Sequence, residues 1–157
     1  ILTSILLKNA CQETVVDDSD HSLGVHKWHL LQNGYAARRL SKAEGEKYVY
    51  LHRVVVGARP GEYVDHINRN KLDNRRSNLR VCSQRQNTQN SALRSDNVSG
   101  FKGVGRDHKS NKWRARIKID GKEKWLGRFD DVRIAAFVYN QYAKIYFGEF
   151  ANLNVIP

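Results

Sequence analysis

Apolar positions open the chain in a short cluster, Ile1-Leu2 and Ile5-Leu6-Leu7, and give way to the acidic run Asp17-Asp18-Ser19-Asp20, where a helical turn is predicted. Residues 28–40 have a strand-like pattern. The run Lys47-Tyr48-Val49-Tyr50-Leu51-His52-Arg53-Val54-Val55-Val56 is β-branched and aromatic, which favours a strand, although its second half fits a helix equally well. Gly57 and the turn chemistry of Arg59-Pro60-Gly61 break it. Residues 63–68 then alternate as a short strand, 69–78 form a polar loop, and Leu79-Arg80-Val81-Cys82 reads as the returning strand. Ser83 is placed to cap a helix over 84–93. The expected outline of this part is a hairpin followed by a helix.

Residues 94–98 show neither apolar period and read as a linker. Beyond them, strands are predicted over 101–106, 112–119 and 122–129, the last two joined by Asp120-Gly121, a strong hairpin signal. Asp131 opens a helix in which Val132, Ala135, Ala136, Tyr139, Tyr142, Ala143 and Tyr146 recur at helical spacing, and Gly148 stops it. Its aromatic residues are read as core packed against the sheet. The fold class is α+β in two units, 1–93 and 99–157.

Composition narrows the class. Of 157 residues 40% are hydrophobic, enough for a core, and no run approaches the roughly 18 apolar residues of a membrane span. Cys11 and Cys82 lie far apart and form no CxxC pair, so neither a disulfide framework nor a structural zinc site is indicated, and a reducing cytoplasm fits. The chain starts at Ile1 and contains no Met, which implies a natural start further upstream. The net charge of +11 is concentrated: residues 65–90 carry +4 and 99–128 carry +7. Trp113, Arg114, Arg116, Lys118, Lys124 and Trp125 lie in short alternating segments, so cations and rings share a sheet rather than a tail. That interleaving favours nucleic acid over a merely solvated surface.

Asp65-His66 stands on the first strand of the expected hairpin, followed by Asn68, Asp73, Asn74, Asn78 and Asn87. Singly these are ordinary turn and surface residues. Together, Val64-Asp65-His66-Ile67-Asn68, then Leu72-Asp73-Asn74-Arg75-Arg76-Ser77-Asn78-Leu79-Arg80-Val81, then Ser83-Gln84-Arg85-Gln86-Asn87 resembles the HNH nucleases of the phage and intron homing-endonuclease type. The resemblance implies a ββα-metal fold, a hairpin and helix around one divalent ion. It implies Asp65 and Asn87 as metal ligands, His66 as general base, and Asn78 as the loop residue that orients the histidine through its backbone. Many of these enzymes carry histidine where this chain has Asn78 and Asn87. The oxygen donors of Asp65 and Asn87 disfavour zinc and suit Mg²⁺ or Mn²⁺, one per active site, completed by phosphate oxygens and water. Such a site lets a neutral histidine take a proton from water while the cation stabilises charge on the leaving 3′ oxygen. Arg80 is a candidate clamp on the scissile phosphate. His52, within Leu51-His52-Arg53, resembles a His-Arg element that precedes the motif in these endonucleases, in a supporting or phosphate-contacting role.

The second unit resembles the Apetala-type DNA-binding domain of plant ethylene-response factors, which also occurs fused to HNH homing endonucleases. The matching segments are Phe101-Lys102-Gly103-Val104, Lys112-Trp113-Arg114-Ala115-Arg116-Ile117, Lys124-Trp125-Leu126-Gly127-Arg128-Phe129, Ala135-Ala136, Tyr139 and Leu153-Asn154. The resemblance implies a three-stranded antiparallel sheet laid in the major groove of double-stranded DNA and backed by the helix. Lys102, Arg116, Lys118 and Trp125 look like contact residues, with Arg106, Arg114 and Lys124 as neighbours. Alternation puts Arg114, Arg116 and Lys118 on one face and Trp113, Ala115 and Ile117 on the helix side. The expected function is a site-specific, metal-dependent homing endonuclease in which residues 1–93 cut and 99–157 position. It is expected to nick one strand as a monomer inside a phage-infected or bacterial cell, with no membrane attachment and no small-molecule cofactor. The alternative is a non-catalytic DNA-binding regulator whose HNH unit is degenerate.

Overall fold

The computed structural model describes residues 1–40 and 48–157, so Lys47, at the start of the β-branched run, lies outside the described residues. The chain divides into two compact units, 1–87 and 88–157. The division falls inside a helix, a few residues before the stretch 94–98 where the sequence pattern suggests a linker.

In the first unit, β1 (Leu2–Leu6) and β2 (Glu13–Asp17) form an antiparallel hairpin. The acidic run after it makes a 3-10 turn over Asp18–Val25. The strand-like stretch 28–40 is two short strands, β3 (His29–Leu30) and β4 (Ala36–Arg39). A turn separates them at Gly34, whose positive φ of 82° suits glycine. β5 (Tyr48–Tyr50) completes this antiparallel sheet and runs straight into helix α1 (Leu51–Val56), so both readings of the β-branched run are realised in sequence. Ile5, Leu7, Val16, Trp28, Ala36, Leu51, Val55, Val64 and Leu79 make the core. Trp28 is fully buried and donates its indole N–H to the Leu23 carbonyl at 2.8 Å, which satisfies its one polar atom.

The expected hairpin is β6 (Tyr63–His66) and β7 (Leu79–Cys82), paired so that Asp65 faces Arg80 and His66 faces Leu79. Helix α2 follows over Gln84–Gln89, shorter than the expected 84–93. A capping box fixes its start: the Gln86 N–H donates to Ser83 Oγ at 3.2 Å and the Ser83 N–H to Gln86 Oε1 at 2.8 Å.

The second unit is an antiparallel sheet in the order β10-β9-β8, built from β8 (Val104–Asp107), β9 (Lys112–Ile119) and β10 (Lys122–Phe129). The first strand starts at Val104 rather than 101. Gly103 sits at φ 76° with the Tyr139 ring where a Cβ would be, so the chain turns there to let the tyrosine under it. The helix packed on this sheet is α3 (Val132–Phe147), capped by Asp131 accepting from the Arg133 N–H at 2.7 Å. Ala135, Ala136, Tyr139, Ala143 and Phe147 are its buried stripe. Tyr146 departs from the expected core role: it is 39% exposed, because Phe147 takes the inward position at the helix end. Asn154 pins the tail, accepting from the Lys102 N–H and donating to the Lys102 carbonyl. Among the described residues no helix is long and apolar enough to cross a membrane.

Candidate active site

Asp65 and His66 are 6% and 4% exposed at the end of β6, an unusual depth for two polar neighbours and one that demands partners. Arg80, directly across the ladder, donates to Asp65 Oδ2 from Nε at 2.9 Å and from Nη2 at 2.7 Å. His66 Nε2 lies 3.0 Å from the side-chain oxygen of Asn74, which is itself fully buried. The loop between the strands is built from side chains bonded to backbone. The Asn68 N–H donates to Asn78 Oδ1 at 2.9 Å, Asn78 Nδ2 donates to the Asp73 carbonyl at 2.7 Å, and Asn68 Nδ2 reaches Asp73 Oδ2 at 2.8 Å. Such Asx contacts explain why so polar a stretch holds one conformation.

Two rings pack against His66. His52 from α1 meets it edge-on at 5.2 Å between centroids, and Tyr35 packs against both, at 4.9 Å from His52 and 5.8 Å from His66. Tyr50 lies 5.5 Å from His52, and Lys71 Nζ sits over the Tyr35 ring. Burial lowers the His52 pKa to about 3, helped by His66 and Arg53 nearby. Burial also lowers that of His66, against the raising effects of the Asn74 bond and of Asp65 and Asp73. Both rings are therefore neutral at pH 7, the state a base needs.

Asn87 begins its contribution on α2, where its N–H bonds the Ser83 carbonyl at 3.0 Å. Its backbone also bonds the Cys82 thiol, whose pKa is raised by burial and by the charge of Asp65. Cys82 is thus a common neighbour of the two residues expected to hold the metal. Among the described residues no group of three or more His, Cys, Asp and Glu side chains is arranged to hold an ion. The residues expected to hold a cation, a carboxylate and an amide, are oxygen donors of the kind a hard ion takes, and the Asp65 carboxylate also accepts from Arg80.

The HNH endonuclease family matches the chain over residues 49–89, the stretch from β5 through α2. A protein of Acanthamoeba polyphaga mimivirus described as an uncharacterized HNH endonuclease is 35% identical over 133 residues, covering 83% of this chain and 68% of that protein. The chain belongs to the HNH endonuclease family. It is an enzyme of DNA cleavage, and Asp65 and His66 lie inside the matched segment. Protein 3.8 of Escherichia phage T7 is 30% identical over 91 residues, 58% of this chain and 74% of that protein. No solved structure matches the HNH endonuclease described here.

Asp65, His66, Arg80 and His52 come together around one spot, with Asn78 bracing the loop. The Asn78 carbonyl accepts from the Ile67 N–H at 2.9 Å, and the side chain that holds His66 is Asn74. Asn74 lies inside the motif segment but has no role assigned to it by the sequence pattern, and Thr14 and Tyr35 lie outside every motif.

In the second unit, the sheet face away from α3 carries Arg114, Arg116, Lys118 and Trp125. Arg128 joins them through a bulge between Trp125 and Gly127 that shifts the register by one, and its guanidinium lies 5.2 Å from the Trp125 ring. Arg116 pairs with Glu123 and Arg128 with Asp107, and one expected contact residue, Lys102, together with its neighbours Arg106 and Lys124, bonds within the unit. Lys124 Nζ donates to the Tyr146 hydroxyl at 2.8 Å on the helix side. Arg106 stacks 4.7 Å from the Trp113 ring, and Lys102 Nζ donates to the carbonyls of Gln89 and Ser91.

Proposed function

We propose that this HNH endonuclease is a site-specific, metal-dependent homing endonuclease that nicks double-stranded DNA as a monomer. The observation that carries it is the buried neutral His66, held by a hydrogen bond beside the Asp65 carboxylate, in a chain of the HNH family. His66 takes the proton of the attacking water, a step worth roughly 10²–10⁴-fold in rate. Asp65 and Asn87 hold one Mg²⁺ or Mn²⁺, which when bound stabilises charge on the phosphate and the leaving oxygen. Arg80 orients Asp65 and is the candidate clamp on the phosphate, His52 supports the His66 ring, and Asn78 fixes the loop.

Residues 99–157 act as an Apetala-type reader, with residues 94–98 leading into it. The outward face of β9 and β10 supports this: Arg114, Arg116, Lys118, Arg128 and the half-exposed Trp125 offer cations and a ring to a groove. The viral and phage sources of the two relatives support a homing enzyme of that setting. The test incubates supercoiled plasmid carrying randomised inserts with the enzyme and Mg²⁺ or Mn²⁺. Open circles that vanish with EDTA and with His66→Ala, while DNA binding persists, are the expected result. Cleavage untouched by His66→Ala would refute the assignment of the base.

A further inference from the structure

Asn74 bonds His66 on one side and a strand from the far end of the unit on the other. Its Nδ2 donates to Thr14 Oγ1 at 2.7 Å and approaches the Lys71 carbonyl at 3.4 Å, and Thr14 Oγ1 donates in turn to the Leu72 carbonyl at 2.8 Å. Thr14 and Asn74 are both fully buried. The backbone reinforces the join, the Val15 N–H bonding the Leu72 carbonyl at 2.9 Å and the Asn74 N–H the Val15 carbonyl at 2.8 Å. A side-chain amide can usually be turned end for end, but here the chemistry forbids it. The hydroxyl proton of Thr14 is committed to Leu72, so Thr14 can only accept from Asn74, and the Lys71 carbonyl is an acceptor by nature. The NH₂ end must face Thr14, and the oxygen end must face His66.

An acceptor opposite Nε2 requires a proton on Nε2. We propose that the buried relay Thr14–Asn74–His66 sets the tautomer of the catalytic ring, keeping the proton on Nε2 and the basic lone pair on Nδ1, and that β2 is thereby a working part of the active site. Asn74 and Thr14 are positioning residues in this scheme. It rests on His66 being the general base, since a base with its proton on the wrong nitrogen meets the water with N–H instead of a lone pair. A histidine base left in the wrong tautomer by loss of its orienting partner is known to forfeit as much as about 10⁴-fold in kcat in another hydrolase.

The test labels the 157-residue chain with ¹⁵N-histidine and reads the ring nitrogens of His66 by NMR, assigned by its loss in His66→Ala, beside plasmid nicking in Mg²⁺. The wild type should show a protonated Nε2 and an unprotonated Nδ1 at pH 7.5. Thr14→Val keeps the shape and removes the acceptor, and should mix the tautomers and lower kcat by about tenfold or more, within the roughly 10²–10⁴-fold a base supplies. KM for DNA should not move, and Thr14→Ser should restore both spectrum and rate. A wild-type proton on Nδ1, or a folded Thr14→Val protein with unchanged spectrum and kcat, would overturn the relay. Nicking that survives His66→Ala would sink the general-base reading and with it the catalytic half of the proposal, while the wild-type spectrum alone still decides the tautomer.

Discussion

His52 carries the clearest cost of the site at the scale of one residue. Its ring is 7% exposed and wedged among Tyr35, Tyr50 and His66, with Arg53 beside it in sequence, so a charge there would be both desolvated and repelled. In the unfolded chain the ring protonates near 6.5, whereas in the folded protein it does so only near about 3. Between those values the unfolded chain binds more protons, so stability falls as the pH drops through that window and is fully present above it. His66 shifts in the same direction and adds to the slope. Replacing His52→Gln should leave stability at pH 7.5 lowered by the lost ring packing, yet make the decline from pH 6.5 towards 3 shallower. Urea midpoints at half-unit pH steps measure it, and an unchanged slope would mean that His52 titrates normally in the fold.

Single elements carry information that their residue types alone do not. The outward face of β10 depends on one bulge: Trp125 pairs with Arg116, Gly127 with Ala115, and Arg128 with Arg114, so one extra residue restores Arg128 to the face it would otherwise leave. Gly127 permits it with φ 134° and with the Phe129 ring 2.9 Å from where a Cβ would stand. Gly127→Ala should therefore cost on the order of 1–3 kcal/mol of stability and weaken DNA binding by displacing its neighbour Arg128. Thermal melts and a binding titration on the same protein would show both; full affinity in a destabilised variant would mean Arg128 does not face the DNA. This contrast also marks what could be read in advance. Strict alternation and Asp120-Gly121 fixed the bounds of β9 and β10, because both signals are local, and Asp65-His66 with Asn78 and Asn87 was legible as a spaced motif. The bulge interrupts the period on which the reading depends. The Thr14–Asn74 bond spans 60 positions and leaves no periodic trace, so a buried polar contact of that kind shows only in three dimensions.

Across the whole molecule, charge and chemistry are divided between two compact units, 1–87 with the buried carboxylate and histidine, and 88–157 with the basic sheet face. Residues 99–128 alone carry +7 of the total +11. If affinity comes from that face through released counterions, each phosphate contact contributes about 0.9 to the slope of log K against log salt. Arg114→Gln, Arg116→Gln and Arg128→Gln together should then weaken plasmid binding and flatten that slope by up to about 2.7. The loss should shrink at higher salt. Neutral glutamines keep the long side chains, and the bulge and α3 hold the sheet without them, so the fold should survive. Because the three belong to the second unit and Asp65, His66 and Asn74 to the first, the rate at saturating DNA should persist while the DNA concentration needed for half saturation rises. A triple variant that binds normally but cuts slowly would reverse the assignment, making the basic face part of the chemical step rather than the grip that brings DNA to it.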